Sequence, residues 1–127
     1  MNLGRRAGQA GRLEEAREHF EAAVSFYPRF FESQLNLGLA LRLLGNPRAA
    51  LPHLDAARAL SPERANAAYE LALARLALGE GDAAGEPLLE ARELARVDPD
   101  APKDLIGKID AALGELERSR RGEPRDA

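Results

Sequence analysis

Apolar and small residues recur along this chain at an interval of 34 positions, as from Leu37 to Leu71. The recurring sets are Leu3, Leu37 and Leu71; Gly4, Gly38 and Ala72; Gly11, Gly45 and Gly79; Ala16, Ala50 and Ala84; Phe20, Leu54 and Leu88; Ala23, Ala57 and Ala91; and Pro28 and Pro62. An interval of this length is typical of repeated helical units. The chain is therefore predicted to consist of stacked copies of one small structural unit.

Each repeat is predicted to be two helices joined by a tight turn. Gly38 lies midway along the first helix and faces Ala50 on the second, so the two backbones can approach closely. Asn46 is expected to cap the second helix, on which Leu54 meets the next repeat. Pro62 ends that helix, because proline lacks the backbone donor and restricts the residue before it.

The turn between the two helices is predicted at a glycine in every repeat. A left-handed helix cap favours glycine, which places turns after Gly11, Gly45 and Gly79. Asp82 is expected to cap the second helix of the third repeat. Pro87 then falls past the first turn of that helix and is expected to bend it slightly.

The repeat pattern ends after Pro99, and one further helix is predicted beyond it. A stack of repeats needs a terminal helix to cover its last apolar face, which predicts a capping helix over about residues 100–118. A helix lying on a membrane is the alternative, but the polar face here is mixed rather than basic. Residues 119–127 are polar and are expected to form a disordered tail. The apolar stripe of the helix consists of Leu105, Ile106, Ile109, Ala112, Leu113 and Leu116.

Composition restricts the fold to helices and disfavours several kinds of partner. Apolar residues make up 45% of the chain, but threonine, cysteine and tryptophan are absent and β-branched residues are few, so a sheet is not expected. The net charge of −3 gives no basic footprint for nucleic acid or an anionic membrane. The lack of a signal peptide or a transmembrane segment favours a cytoplasmic location. The excess of arginine over lysine favours a bacterial source.

The recurring residues resemble the tetratricopeptide repeat family. The resemblance implies an all-α solenoid of about three helix–turn–helix repeats, over about residues 1–30, 31–64 and 65–98, in one repeat domain of residues 1–118. The first repeat is expected to be truncated, because the opening turn of its first helix, with the aromatic residue usual in the family, is missing. The motif is cleanest at Leu37-Gly38, Gly45, Ala50, Leu54, Ala57 and Pro62.

Candidate catalytic and metal-binding groups are scarce. His19 and His53 occupy the same position of consecutive repeats, too far apart to share a metal, and are expected to face solvent. Asp98, Asp100 and Asp104 lack the glycine and the acidic residue of a calcium loop, and are expected to favour a helix N-terminus instead. No nucleophile–base pair is found. The chain is predicted to be a non-enzyme with no metal and no cofactor.

The resemblance also implies a binding surface. In this family the first helices line the concave face and bind peptides or partner helices there. Leu35, Leu39 and Leu43 are spaced four apart, and so are Tyr69 and Leu73. Each set is therefore expected to form an apolar stripe along its helix. The alternative is that these leucines pack against neighbouring helices and leave little exposed. The matching positions are Glu32, Leu35, Asn36, Leu39, Arg42 and Leu43 in the second repeat, and Asn66, Tyr69, Leu73 and Leu76 in the third.

Aromatic residues cluster where the first repeat meets the second. Phe26 and Phe30 match large positions of the family motif and are expected in the core. Phe31 stands where the family prefers alanine, and Tyr27 where it prefers a polar residue, so either is a candidate secondary anchor for a partner. Packing between repeats is the alternative for both.

These observations predict a protein–protein interaction scaffold that holds an unidentified protein or peptide in an apolar groove. Two alternatives remain open. An uncapped N-terminal face could let the chain associate with another copy of itself, giving a homo-oligomer. The chain could also be the C-terminal part of a larger multidomain protein.

Overall fold

The computed structural model describes residues 2–122, and describes side chains from residue 11 to residue 122. These residues contain six α-helices and one short 3-10 turn, joined by loops. Those residues contain no strand, and the all-α prediction is confirmed. By their contacts the helices form two units, the first ending at Ser61 and the second beginning at Pro62. The first unit holds α1 (Asn2–Phe26), α2 (Phe31–Leu43) and α3 (Pro47–Leu60), and the second holds α4 (Ala65–Ala77), the 3-10 turn (Gly81–Ala83), α5 (Gly85–Val97) and α6 (Leu105–Arg120).

The hairpin of α2 and α3 is built around the close approach predicted at Gly38. A Cβ atom placed on Gly38 would lie 2.5 Å from Cδ2 and 2.7 Å from Cγ of Leu54. Leu54 and Ala50 are fully buried on α3. Glycine is required at this crossing because the Leu54 side chain occupies the space that a Cβ would need.

The predicted glycine turns are confirmed at Gly45 and Gly79. Their φ angles are +87° and +76°, the left-handed region that favours glycine. At the first turn the amide of Asn46 donates to the carbonyl of Leu41 at 2.9 Å, the long hydrogen bond that closes such a helix end. Asn46 then caps α3, as predicted, by accepting from the amide of Ala49 at 3.4 Å.

The turn predicted at Gly11 is wrong. Residues 2–26 form one continuous helix, so Gly4 and Ala16 lie on the same helix and do not face each other across a hairpin. Gly45 is followed by a capping asparagine and a proline, whereas Gly11 is followed by strong helix formers, from Arg12 to Ala16. No residue there stops the helix, and a lone glycine costs a helix interior only about 1 kcal/mol.

The cap predicted at Asp82 is also wrong. Asp82 lies in the 3-10 turn, and α5 begins three residues later, at Gly85. Pro87 therefore lies in the first turn of α5 and not past it. Backbone N–H groups in the first turn have no partner within the helix, so the N–H that proline lacks is not needed there. A helix beginning at Asp82 would place the ring of Pro87 against the carbonyl of Ala83, which explains the later start.

The second unit has its own core, which α6 covers as predicted for a capping helix. Leu105, Ile109 and Leu116 of α6 are buried against Leu88 and the small residues of α4 and α5. Ala112 and Leu113 pack against the same cluster. Helix α6 extends to Arg120, so the first two residues of the expected disordered tail are helical; residues 123–127 lie outside the described residues.

Asp98 joins the two ends of the α4–α5 hairpin. Its side chain is 3% exposed, and one oxygen accepts a hydrogen bond from the amide of Ala65, the first residue of α4, at 3.2 Å. The other oxygen accepts from the amide of Asp100 at 2.9 Å, and Nε of Arg64 lies 3.7 Å from the first. The carboxylate expected to favour the N-terminus of the last helix caps α4 instead, since the loop after α5 returns to the start of α4.

Candidate binding surfaces

The first candidate surface is the α2 face of the first unit. Leu43 is 52% exposed, Leu39 is half-buried, and Leu35 is buried. The apolar stripe predicted along α2 is therefore accessible only over its C-terminal half. Of the polar positions predicted there, Glu32 is exposed, and Asn36 and Arg42 are half-buried.

The second candidate surface is the α4 face of the second unit. Asn66, Tyr69, Leu73 and Leu76 are all half-buried. Tyr69 and Leu76 pack against the buried cluster of the unit, so part of their apolar area already contributes to its core. What remains accessible on α4 is narrower than the sequence pattern alone indicates.

The aromatic residues between α1 and α2 are placed differently from the prediction. Phe26 and Phe30, expected in the core, are 78% and 55% exposed, and Tyr27 is 69% exposed. Phe31, a candidate anchor, is buried, because it begins α2 and shares the covered face with Leu35 four residues on. Phe26 ends α1 and Phe30 precedes α2, so neither is held on a buried helix face.

A buried glutamine that the sequence reasoning missed fixes this loop. The amide nitrogen of Gln34 donates to the carbonyl of Pro28 at 2.8 Å, and Nδ1 of His53 lies 2.9 Å from the amide oxygen of Gln34. Because the oxygen of Gln34 can only accept, His53 donates from Nδ1. His53, expected to face solvent, is half-buried in this contact, whereas His19 is exposed. In the sequence, this contact is indicated by Gln34 itself, a polar residue among the apolar positions of α2.

His53 makes the stability of the chain depend on pH. Burial lowers the pKa of His53 below its ordinary value of 6.5, and the carboxylate of Glu21 opposes this shift. The folded chain therefore binds this proton less readily than the unfolded chain. The stabilisation from neutral His53 is complete above pH 6.5 and is lost as the pH falls towards the lower pKa of the folded state.

We expect His53→Gln to weaken the pH dependence of folding. The loss of stability between about pH 7.5 and about pH 5.5, measured by urea unfolding, is expected to be smaller in this variant than in the wild type. His19→Gln is the matched control, because His19 is the other histidine of the chain and is exposed. An equal loss in the wild type and both variants would contradict the assignment.

The described part of the chain offers little for metal chemistry. Among residues with described side chains, no group of three histidine, cysteine, aspartate or glutamate residues could hold a metal ion. None of the described helices is both long and apolar enough to traverse a bilayer. The arrangement instead presents apolar side chains on rigid helices, which suits the binding of another chain.

Comparison with known proteins identifies similar sequences and folds. The profile described as Tetratricopeptide repeat matches residues 1–47 and 44–102. No match is found among curated proteins.

Three solved proteins share the fold. PcrH, known from Pseudomonas aeruginosa, in complex with the chaperone binding region of PopD is 24% identical, with a TM-score of 0.81 over 94% of this chain and 89% of that one. The Yersinia enterocolitica type III secretion chaperone SycD in complex with a peptide of the translocator YopD is 21% identical, with a TM-score of 0.80 over 94% and 90%. SycD has also been solved as an alternative dimer. The Sgt2 TPR domain from Aspergillus fumigatus is 20% identical, with a TM-score of 0.75 over 99% and 83%.

Proposed function

Because the chain belongs to the tetratricopeptide repeat family, we propose that it is a protein-binding scaffold that holds a peptide or a partner helix on the first helices of its repeats. The observation that carries the proposal is the exposed C-terminal half of α2. There Leu43 and Leu39 lie one turn apart, and the half-buried Arg42 lies on the same turn of the helix. An apolar centre with charge at its margin is the usual composition of a protein interface.

The nature of the related complexes supports a peptide as the occupant. The PcrH and SycD structures contain a region of PopD and a peptide of YopD, respectively. We propose the same class of partner here, a segment of another protein with apolar side chains at helical or extended spacing. The protein in this proposal is a binding module and not an enzyme.

Leu43→Glu is expected to reduce partner binding strongly without unfolding the protein. Leu43 is already 52% exposed, so a charged residue costs little in the free protein, whereas it would be buried unpaired in the complex. Loss of a central apolar contact typically weakens binding by about 2 kcal/mol or more, roughly thirtyfold. The measurement is a pull-down from native lysate followed by mass spectrometry, and then titration of the recovered partner.

Leu89→Glu is the matched control. Leu89 is 53% exposed but lies on α5, the second helix of its repeat, which the proposal does not use. Both variants should keep the wild-type helical signal in circular dichroism. Equal binding by the wild type and Leu43→Glu would reject the α2 surface, and equal loss in both variants would show that exposed leucines matter irrespective of their helix.

Self-association is the second candidate, and the packing of α1 favours it. Leu13, Ala16, Phe20 and Ala23 share one face of α1, and each is only half-buried. A second copy could cover this apolar face. Sedimentation velocity over a range of concentrations tests the idea, and a strictly monomeric mass at the highest concentration would reject it.

A further inference from the structure

A cluster of exposed aromatic side chains joins α1 to α2. We call residues 26–30 the aromatic junction: Phe26, Tyr27 and Phe30, together with Pro28 and Arg29, line an open depression of about 430 Å³. The three aromatic side chains are between 55% and 78% exposed. They account for three of the six aromatic residues of the chain, which are four phenylalanines and two tyrosines.

Such exposure is not a general property of this chain. The next phenylalanine, Phe31, is buried although it lies only one residue beyond the junction. Each aromatic side chain could bury about 150–250 Å² in a core or an interface, and large exposed apolar patches mark interaction sites. The junction therefore holds apolar surface that the fold of the first unit does not use.

The backbone of the junction is fixed by hydrogen bonds. The amide of Tyr27 donates to the carbonyl of Ala23 at 2.8 Å, and the amide of Phe30 donates to the carbonyl of Tyr27 at 3.2 Å. The buried side chain of Gln34 holds the carbonyl of Pro28, as described above. A binding surface that is already ordered loses little conformational entropy when a partner binds.

The charge of the junction indicates the chemistry of its occupant. Among the residues with described side chains, Arg29 is the one charged residue that lines the depression, and it forms no ion pair with any of them. A guanidinium binds carboxylates through two parallel hydrogen bonds and also stacks on aromatic rings. We propose that the aromatic junction is a binding surface, separate from the α2 and α4 faces, for an apolar peptide segment of a partner protein that carries a carboxylate beside its apolar side chains.

Two other occupants fit the junction less well. A second copy placed on the same patch by a two-fold axis would bring the two Arg29 side chains together, and like charges repel. A membrane surface usually requires several basic residues, and the junction has one. The carboxylate-bearing peptide satisfies both the aromatic surface and the single cation.

The test is selection from a displayed library of random-sequence peptides on the folded full-length chain. Peptides retained by the wild type are expected to carry aspartate or glutamate beside leucine or phenylalanine about twofold to fivefold more often than the unselected library, the range expected for an exposed ion pair. Arg29→Glu is expected to reverse this preference towards lysine and arginine. Arg12→Glu, the same charge reversal at an exposed position of α1, is the control and should retain the acidic preference.

Two further variants separate this proposal from the α2 surface. Phe26→Ser with Phe30→Ser should remove the acidic class of peptides, and Leu43→Glu should leave it intact. Circular dichroism checks that each variant keeps its helices. The same charge composition among peptides retained by the wild type and Arg29→Glu would overturn the proposal. A dimer that Tyr27→Ser dissociates, or binding to anionic vesicles that Tyr27→Ser abolishes, would also overturn it in favour of the corresponding occupant.

Discussion

Leu54→Ala is expected to lower the free energy of unfolding by about 2–5 kcal/mol, the usual loss when a large buried aliphatic side chain is removed from a core. Leu54 is fully buried, and Ala50 and Ala57 are buried on the same helix. Its side chain also fills the space above Gly38, so its removal leaves a cavity that the rigid crossing of α2 and α3 closes only partly. Urea unfolding followed by circular dichroism gives the value.

A double-mutant cycle with Gly38→Ala shows whether this contact sets the cost. In Gly38→Ala alone, the contact between the new Cβ and Leu54 should cost about 1–3 kcal/mol. The higher helix propensity of alanine should offset about 1 kcal/mol of that cost. In the Leu54→Ala background the obstructing atoms are gone, and the same change should be neutral or stabilising. Gly11→Ala is the control, since nothing lies within 4 Å of a Cβ there, and it should stabilise by about 1 kcal/mol. Additive effects in the cycle would contradict the geometry.

Asp98→Ala is expected to destabilise the second unit by about 1–3 kcal/mol, the cost of leaving the partly buried amide of Ala65 without its acceptor. The guanidinium of Arg64 also loses its carboxylate, whereas the exposed amide of Asp100 can bond to water instead. Asp98→Asn keeps the shape and one acceptor oxygen, so its cost should lie between that of Asp98→Ala and the wild type. Chemical unfolding of the full chain gives all three values.

Asp104→Ala is the control for this prediction. Asp104 is exposed and stands at the start of α6, but its side chain makes no capping hydrogen bond there. Its replacement should change stability by no more than about 0.5 kcal/mol, as is usual for surface positions. Equal losses for Asp98→Ala and Asp104→Ala would show that the contact with Ala65 contributes nothing.

The recurrence of residues predicted those features that depend on a short stretch of backbone. The close approach at Gly38 and the left-handed turns at Gly45 and Gly79 follow from sterics within a single hairpin. The same rule misplaced the turn at Gly11, because a glycine permits a turn but does not impose one. The prediction that Asp82 caps α5 was wrong because Pro87 limits where that helix can begin.

The candidate surfaces were less predictable, because exposure depends on neighbours distant in sequence. The bond between Gln34 and His53 joins residues 19 positions apart, and that between Ala65 and Asp98 joins residues 33 positions apart. A periodic pattern assigns residues to a helix face, but it does not say whether another helix covers that face. For this reason Leu35 was expected on an accessible stripe and Phe26 and Phe30 in the core, whereas the structure buries Leu35 and exposes both phenylalanines. For Phe31, packing was the alternative to a role as an anchor, and the structure buries it.

The two oxygens of Asp98 hold amides that belong to different segments, one at the start of α4 and one after the end of α5. Neither segment can fray without releasing the carboxylate on which the other also depends. The amide protons of Ala65 and Asp100 should therefore exchange with solvent deuterium through one shared opening event, so that both ends of the hairpin behave as a single cooperative unit.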